Sequence, residues 1–210
     1  MTHRTAVPVA VLAAVLVVAA GCQSGKPVPP KGSGFLGDAY PMLLPNPNYA
    51  GAWRWQNPGV ELGEYDKLII EPVEVRLAKG AEAQSVPPEM TARAAEVFTR
   101  VLNQTVDPYY DVVTEPGPHT LRVRISLSDV MPDTTSPAGG VEVGGAAIEA
   151  EMLDAQTSER LVAAMSKVEH SASIDDSDIP AKWKGTEGAF RVWAKRLLEF
   201  LDRQGVGSER

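Results

Sequence analysis

The sequence is short of the side chains that most often do chemistry. Its 210 residues include one cysteine and three histidines, and only 6% are aromatic. No G-x-S-x-G or H-E-x-x-H pattern accompanies any histidine, so neither a serine nucleophile nor a helical zinc site is written in the chain. A basic excess is also missing. Lys plus Arg number 20 against 27 Asp plus Glu, a net charge of -7, which disfavours nucleic acid or anionic headgroups as the main partner. No apolar run is long enough to span a bilayer, which takes roughly 20 residues. What remains, 44% hydrophobic and 22% charged, is the composition of an ordinary domain with one core.

The longest apolar run, VAVLAAVLVVAA at 9–20, follows His3 and Arg4 and ends at Gly21 and Cys22. Its length suits the core of a secretory signal. Ala19, Ala20 and Gly21 directly before Cys22 resemble the lipobox of bacterial lipoproteins, although Ala19 stands where leucine is usual. The resemblance implies cleavage after residue 21 and diacylglycerol on the Cys22 thiol. At ~0.8 kcal/mol per buried methylene, two or three acyl chains hold a protein on a membrane. Removal of residues 1–21 takes away a single charged residue, Arg4, and leaves the chain slightly more acidic. Gln23 is not the aspartate that commonly retains lipoproteins at the inner membrane, so the resemblance implies the periplasmic face of the outer membrane. Residues 22–34, rich in Pro, Gly and Lys, read as a flexible tether; a dozen extended residues at roughly 3.3 Å each reach ~40 Å.

Residues 35–64 mix prolines with scattered apolar groups and are expected to form an extended segment packed on a domain spanning 65–204, with 205–210 as a tail. In YDKLIIEPVEVRLA (65–78), Leu68 and Ile70 alternate with Lys67, Ile69 and Glu71, and Val73 and Val75 resume in the opposite phase. Pro72 sits at the slip, where a bulge or sheet edge tolerates its missing N–H. Residues 89–104 place Met90, Ala94, Val97, Phe98, Val101 and Leu102 on one helical stripe behind Pro87 and Pro88. Residues 109–115 read as a strand. In HTLRVRISLSDV, Leu121, Val123, Ile125 and Leu127 oppose Arg122, Arg124, Ser126 and Ser128, the signature of a half-buried strand. Residues 144–170 read as a hairpin turning at DAQTSE, and 186–203 as a helix stopped by Gly205 and Gly207. The expected fold is therefore α+β: a largely antiparallel sheet of about five strands covered by two helices, in the order β-α-β-β-β-β-α.

SGFLGD (33–38), YDKLIIEPVEV (65–75), EPGPHTLRVRISLSDV (115–130), GGAAIEAEMLDAQTSERL (144–161) and WKGTEGAFRVWAKRLL (183–198) together resemble a family of bacterial lipoproteins catalogued only as a domain of unknown function. Two departures stand out. The connection from residue 131 to 143 is shorter than usual, and Ser158 stands where glycine is typical. The resemblance implies an exported, lipid-anchored domain and carries over no catalytic residue and no cofactor.

Four residues remain as candidates for partner or glycan contact. Glu149 and Glu151, two apart in a strand, share one face as a glycosidase-like carboxylate pair would. Arg122 and Arg124 have the same spacing on a neighbouring strand, which instead suggests a solvated cross-strand charge ladder. Trp53 and Trp55 could stack on sugar rings, dock a partner, or staple the 35–64 segment to the core. GGVEVGG at 139–145 lacks the Lys-Ser/Thr ending of a phosphate loop, and DDSD at 175–178 lacks the glycine and distant glutamate of a calcium loop, so no metal or cofactor is expected. His119 and His170 read as surface residues. Membrane attachment through Cys22 and a noncatalytic role in binding another envelope protein is the favoured reading. The alternative is a glycan-binding module or a carboxylate-dependent hydrolase.

Overall fold

The computed structural model describes residues 28–135, 142–171 and 184–207. One mixed sheet is built from β1 (Leu44–Pro45), β2 (Ala52–Gln56), β3 (Lys67–Ile70), β4 (Glu74–Val75), β5 (Asp111–Val112), β6 (Thr120–Thr135), β7 (Glu142–Asp154) and β8 (Arg160–Ser171). Two main helices, α1 (Pro88–Val106) and α2 (Lys184–Arg203), complete the expected α+β class. The strand order is β1-β2-β8-β7-β6-β3-β5, with β4 also on β6. Pairings among β1, β2, β8, β7 and β6 are antiparallel, whereas β3, β4 and β5 join in parallel through the α1 crossover.

The sheet has eight strands rather than five, for two reasons. The 35–64 segment contributes β1 and β2, because Ala52-Trp-Arg-Trp-Gln56 alternates between Gly51 and Pro58 and pairs along β8 from Ala52↔Ser166 to Gln56↔Val162. The single strand expected over 65–78 is split at Pro72. Ile70 pairs Val123 while Glu74 pairs Ser126, so the register slips by one residue across Glu71-Pro72-Val73. That slip returns Val73 and Val75 to the same core as Leu68 and Ile70, the role the opposed phases suggested. The 109–115 strand shrinks to Asp111–Val112. In the other direction, β6 and β7 extend into the 131–143 connection, pairing Thr134↔Val143 and Thr135↔Glu142.

Both helices pack on one face. Pro87 and Pro88 open α1 at positions where an absent N–H costs nothing, and its buried Ala94, Phe98, Val101 and Leu102 meet Phe190, Trp193 and Ala194 of α2. The Phe98 and Phe190 rings stack with centroids 4.5 Å apart, worth about 0.5–1.5 kcal/mol beyond their burial. Gly205, at φ 72°, ends α2: the Val206 amide donates back to the Leu201 carbonyl and Val206 itself is buried. Among the described residues no helix is long and apolar enough to cross a membrane.

The opposite face of the sheet is not solvated. Residues 33–43, including a 3-10 helix (Gly37–Met42), lie across it and form a second apolar cluster. Phe35, Leu36, Ala39 and Leu43 there meet Ala163 and Met165 of β8, flanked by Tyr40, Trp53 and Trp55.

Candidate functional site

The two-residue repeat of the strands decides which side chains meet beneath this covering segment. Trp53, Met165, Glu149 and Ser126 form one row across β2, β8, β7 and β6; Trp55, Ala163, Glu151 and Arg124 form the next. All four candidate contact residues therefore share one face, in two adjacent rows. Glu149 is 0% exposed and Glu151 3%. The charge ladder is thus largely buried rather than solvated, and it is shifted: Arg124 lies opposite Glu151, but Arg122 lies opposite Leu153 and reaches Glu71 at 3.6 Å.

A buried carboxylate is tolerated only when its oxygens are occupied. One Glu149 oxygen accepts the Ser33 amide at 2.6 Å; the other accepts the Ser33 hydroxyl at 3.1 Å and the Tyr40 phenol at 2.6 Å. The phenol in turn accepts the Gly34 amide at 2.8 Å. Burial, reinforced by the Glu149 carboxylate, raises the Tyr40 pKa, so the phenol stays a donor. Glu151 receives Arg124 at 2.6 Å on one oxygen and Arg160 at 2.9 Å on the other.

Each arginine has further partners. Arg124 also bonds Glu71 at 3.2 Å and Glu74 at 3.1 Å, and its guanidinium lies over the Phe35 ring, 5.1 Å from the centroid. Burial alone would lower its pKa, but the hydrogen bond to Glu74 and the charges of Glu151, Glu71 and Glu74 hold it above the ordinary value. Arg160 reaches out to Asp38 at 2.5 Å, and that hydrogen bond and charge hold the exposed Asp38 carboxyl below its ordinary range. The three cations Arg122, Arg124 and Arg160 and the acids Asp38, Glu71 and Glu151 line a polar cleft beside the cover.

Chemically, these carboxylates act as fixed acceptors. Every oxygen of Glu149 and Glu151 already accepts a donor from within the chain. What the arrangement does is join residues 33–40 to the centre of the sheet. Trp53 and Trp55 are half-buried against the same cover. His119 is exposed, with Nδ1 2.7 Å from the Glu64 carbonyl, and adopts φ 56°. Cys22, the acidic run at 175–178 and the His170 side chain lie outside the described residues, as do residues 139–141; residues 142–145 are part of β7.

Sequence reasoning did not find Ser33, Tyr40 or Arg160. The available signal was the SGFLGD motif itself, where Ser33 and Asp38 bracket the apolar pair Phe35-Leu36, yet nothing local says which strand they cover.

A family model described as Protein of unknown function (DUF3313) matches residues 31–197. No curated protein sequence is similar to the chain. Among solved structures, a PelC dodecamer from Paraburkholderia phytofirmans has 14% identity over 74% of this chain and 98% of that one, with a TM-score of 0.39. A Xanthomonas campestris protein of the DUF330 family has 12% identity, covering 71% and 91%, at 0.43. A minor lipoprotein from Acinetobacter baumannii has 6% identity, covering 66% and 94%, at 0.39.

Proposed function

The chain belongs to the family described as Protein of unknown function (DUF3313), and from that premise we propose that it is an outer-membrane lipoprotein, anchored through Cys22, whose periplasm-facing domain binds another envelope protein without catalysing a reaction. The leader at residues 1–21 would be removed, and of the expected tether 22–34 the part before Ser33 would serve as the spacer, since Ser33 and Gly34 are bonded to Glu149 and Tyr40.

The observation that carries this reading is where the tether ends. Ser33 grips the fully buried Glu149 with both its amide and its hydroxyl, so the anchoring segment is fastened at the middle of the sheet rather than at a frayed terminus. A pull on the lipid is then borne by buried hydrogen bonds and the Phe35-Leu36 cluster. Beyond this fastening the segment emerges on the outer edge of the sheet, where Met42 and Leu44 are exposed, Leu44 at 63%. An apolar edge beside a fixed tether supplies a contact for a protein partner.

A photo-crosslinker placed at position 44 in intact cells tests the proposal. A discrete protein adduct that disappears in a secreted form lacking Cys22 supports it. Adducts no stronger from the anchored protein than from that secreted control contradict it.

A further inference from the structure

The helix-covered face of the sheet contains an apolar recess on the side away from the Glu149–Glu151 cluster. One cross-strand row on this face reads Arg54, Ala164, Ala150, Ile125. The two alanines are register partners in adjacent strands, and α2 passes above them with Leu197 and Phe200. Neither side fills the gap. An apolar cavity of about 130 Å³ results, walled by Ile148, Ala150, Val162, Ala164, Leu197 and Phe200. The recess is open to solvent on one side, and its apolar walls forfeit packing contacts that a short hydrocarbon guest would restore.

Three arginines, Arg54, Arg196 and Arg203, also line this cavity, in a chain whose overall charge is -7. Arg54 lies over Phe200, with its guanidinium carbon 5.3 Å from the ring centroid, and Arg196 lies over Tyr49 at 4.4 Å. Their polar contacts are weak: Arg196 to the Ser166 hydroxyl at 3.4 Å, and Arg203 to the Tyr49 hydroxyl at 3.5 Å. Among the described residues no carboxylate forms an ion pair with any of the three, and the nearby Glu199 is engaged by the Tyr49 hydroxyl at 2.5 Å. Burial, and then the neighbouring positive charge of Arg203, lower the Arg54 pKa. Trp193 lines the same cavity, is 5% exposed, and its Nε1 is buried without an acceptor among the described residues. Arg54 and Arg196 are half-buried and Arg203 is exposed, so their guanidinium groups stand at the solvent side of an apolar recess, an arrangement complementary to an anion with a greasy end.

We propose that this cavity binds a small anionic amphiphile: a carboxylate or phosphate head held by Arg54, Arg196 and Arg203, with a short alkyl or aryl end inserted between Ala150, Ala164 and α2. The inference is independent of the anchor at Cys22.

The test titrates the full mature protein with octanoate and octyl phosphate as the two anionic probes and with octanol as the neutral one, read by Trp fluorescence and calorimetry. The expected result is saturable binding of at least one anionic probe, with octanol at least tenfold weaker; which head binds tighter distinguishes a carboxylate ligand from a phosphate ligand. Arg54→Gln with Arg203→Gln should weaken the anionic probe at least tenfold, while Ala164→Leu should abolish binding by filling the hole. Because Ala164→Leu could disturb the core, circular dichroism and the thermal midpoint are measured on it, and the arginine variants supply a surface readout that does not depend on it. Absence of saturable binding by both anionic probes, equal binding of octanol, or undiminished binding in the double arginine variant would each overturn the proposal.

Discussion

The phenol of Tyr40 donates a 2.6 Å hydrogen bond to the carboxylate of Glu149 across 109 residues of chain. Glu149 is fully buried, so this bond is where the N-terminal segment and the sheet depend on each other. Ser33 shares the same carboxylate, and together they turn a would-be surface charge into the centre of a second, smaller core.

Tyr40→Phe keeps the ring and removes this donor. Glu149 retains both contacts from Ser33, so the variant should fold and lose about 1.5–2 kcal/mol, the lower part of the range for a bond to a charged group. Urea unfolding monitored by circular dichroism checks this. A midpoint equal to that of the parent protein would mean that the bond contributes nothing.

Gly32→Ala should unseat the same contact sterically. A β-carbon there would fall 2.1 Å from the Tyr40 ring. The ring end can move, but only by giving up Glu149 and the Gly34 amide. A loss of about 1–3 kcal/mol is expected, together with easier acrylamide quenching of Trp53 and Trp55, which pack beneath the segment.

Ser158→Gly should stabilise the protein. Ser158 sits in the β7–β8 turn at φ 61°, a left-handed conformation that costs an L-residue roughly 1 kcal/mol relative to glycine. Its amide donates to the Asp154 carbonyl at 2.9 Å in either case, so the substitution relieves strain without losing that bond. An unchanged or lower urea midpoint would contradict this.

Tyr65 predicts an alkaline weakness. Burial, and then its 3.0 Å hydrogen bond to Asp154, push the phenol up to about 12. In the unfolded chain it ionises near 10. Below pH 10 both states hold the proton and the contribution is complete. As pH rises from about 10 towards 12, only the folded state retains it, so stability falls. The fall in urea midpoint across this window should be shallower in Tyr65→Phe than in the parent. Identical slopes would contradict the assignment.

The parts of the fold legible in the sequence are those whose burial is set by local period. The α1 stripe around Phe98, the α2 stripe around Phe190 and Trp193, and the alternation of Leu121 to Leu127 each declare one apolar face, and those faces meet in the main core. Even the phase change at Pro72 was readable, because a one-residue slip has only one way to keep Leu68 and Val73 on the same side.

The second face was not legible, because alternation shows that Glu149 and Arg124 lie away from the helices but does not show what lies over them. Ser126 looks like a solvent-facing residue and is 0% exposed, since the cover comes from Ser33 to Leu43, more than eighty residues earlier. The same reasoning hid β2: Trp53 and Trp55 face the cover while Arg54 faces α2, so an alternation of large groups on both sides reads as irregular. The small residues Ala150 and Ala164 likewise gave no hint that their register would leave a hole.

Intact mass spectrometry of the protein purified from the membranes of its own cells reads the lipid anchor at Cys22 itself. The expected product is a chain that begins at Cys22 and carries a diacylglycerol-sized addition on that residue, and a Cys22→Ala form should leave the membrane fraction. A polypeptide still bearing residues 1–21 with an unmodified Cys22 thiol would contradict that anchor.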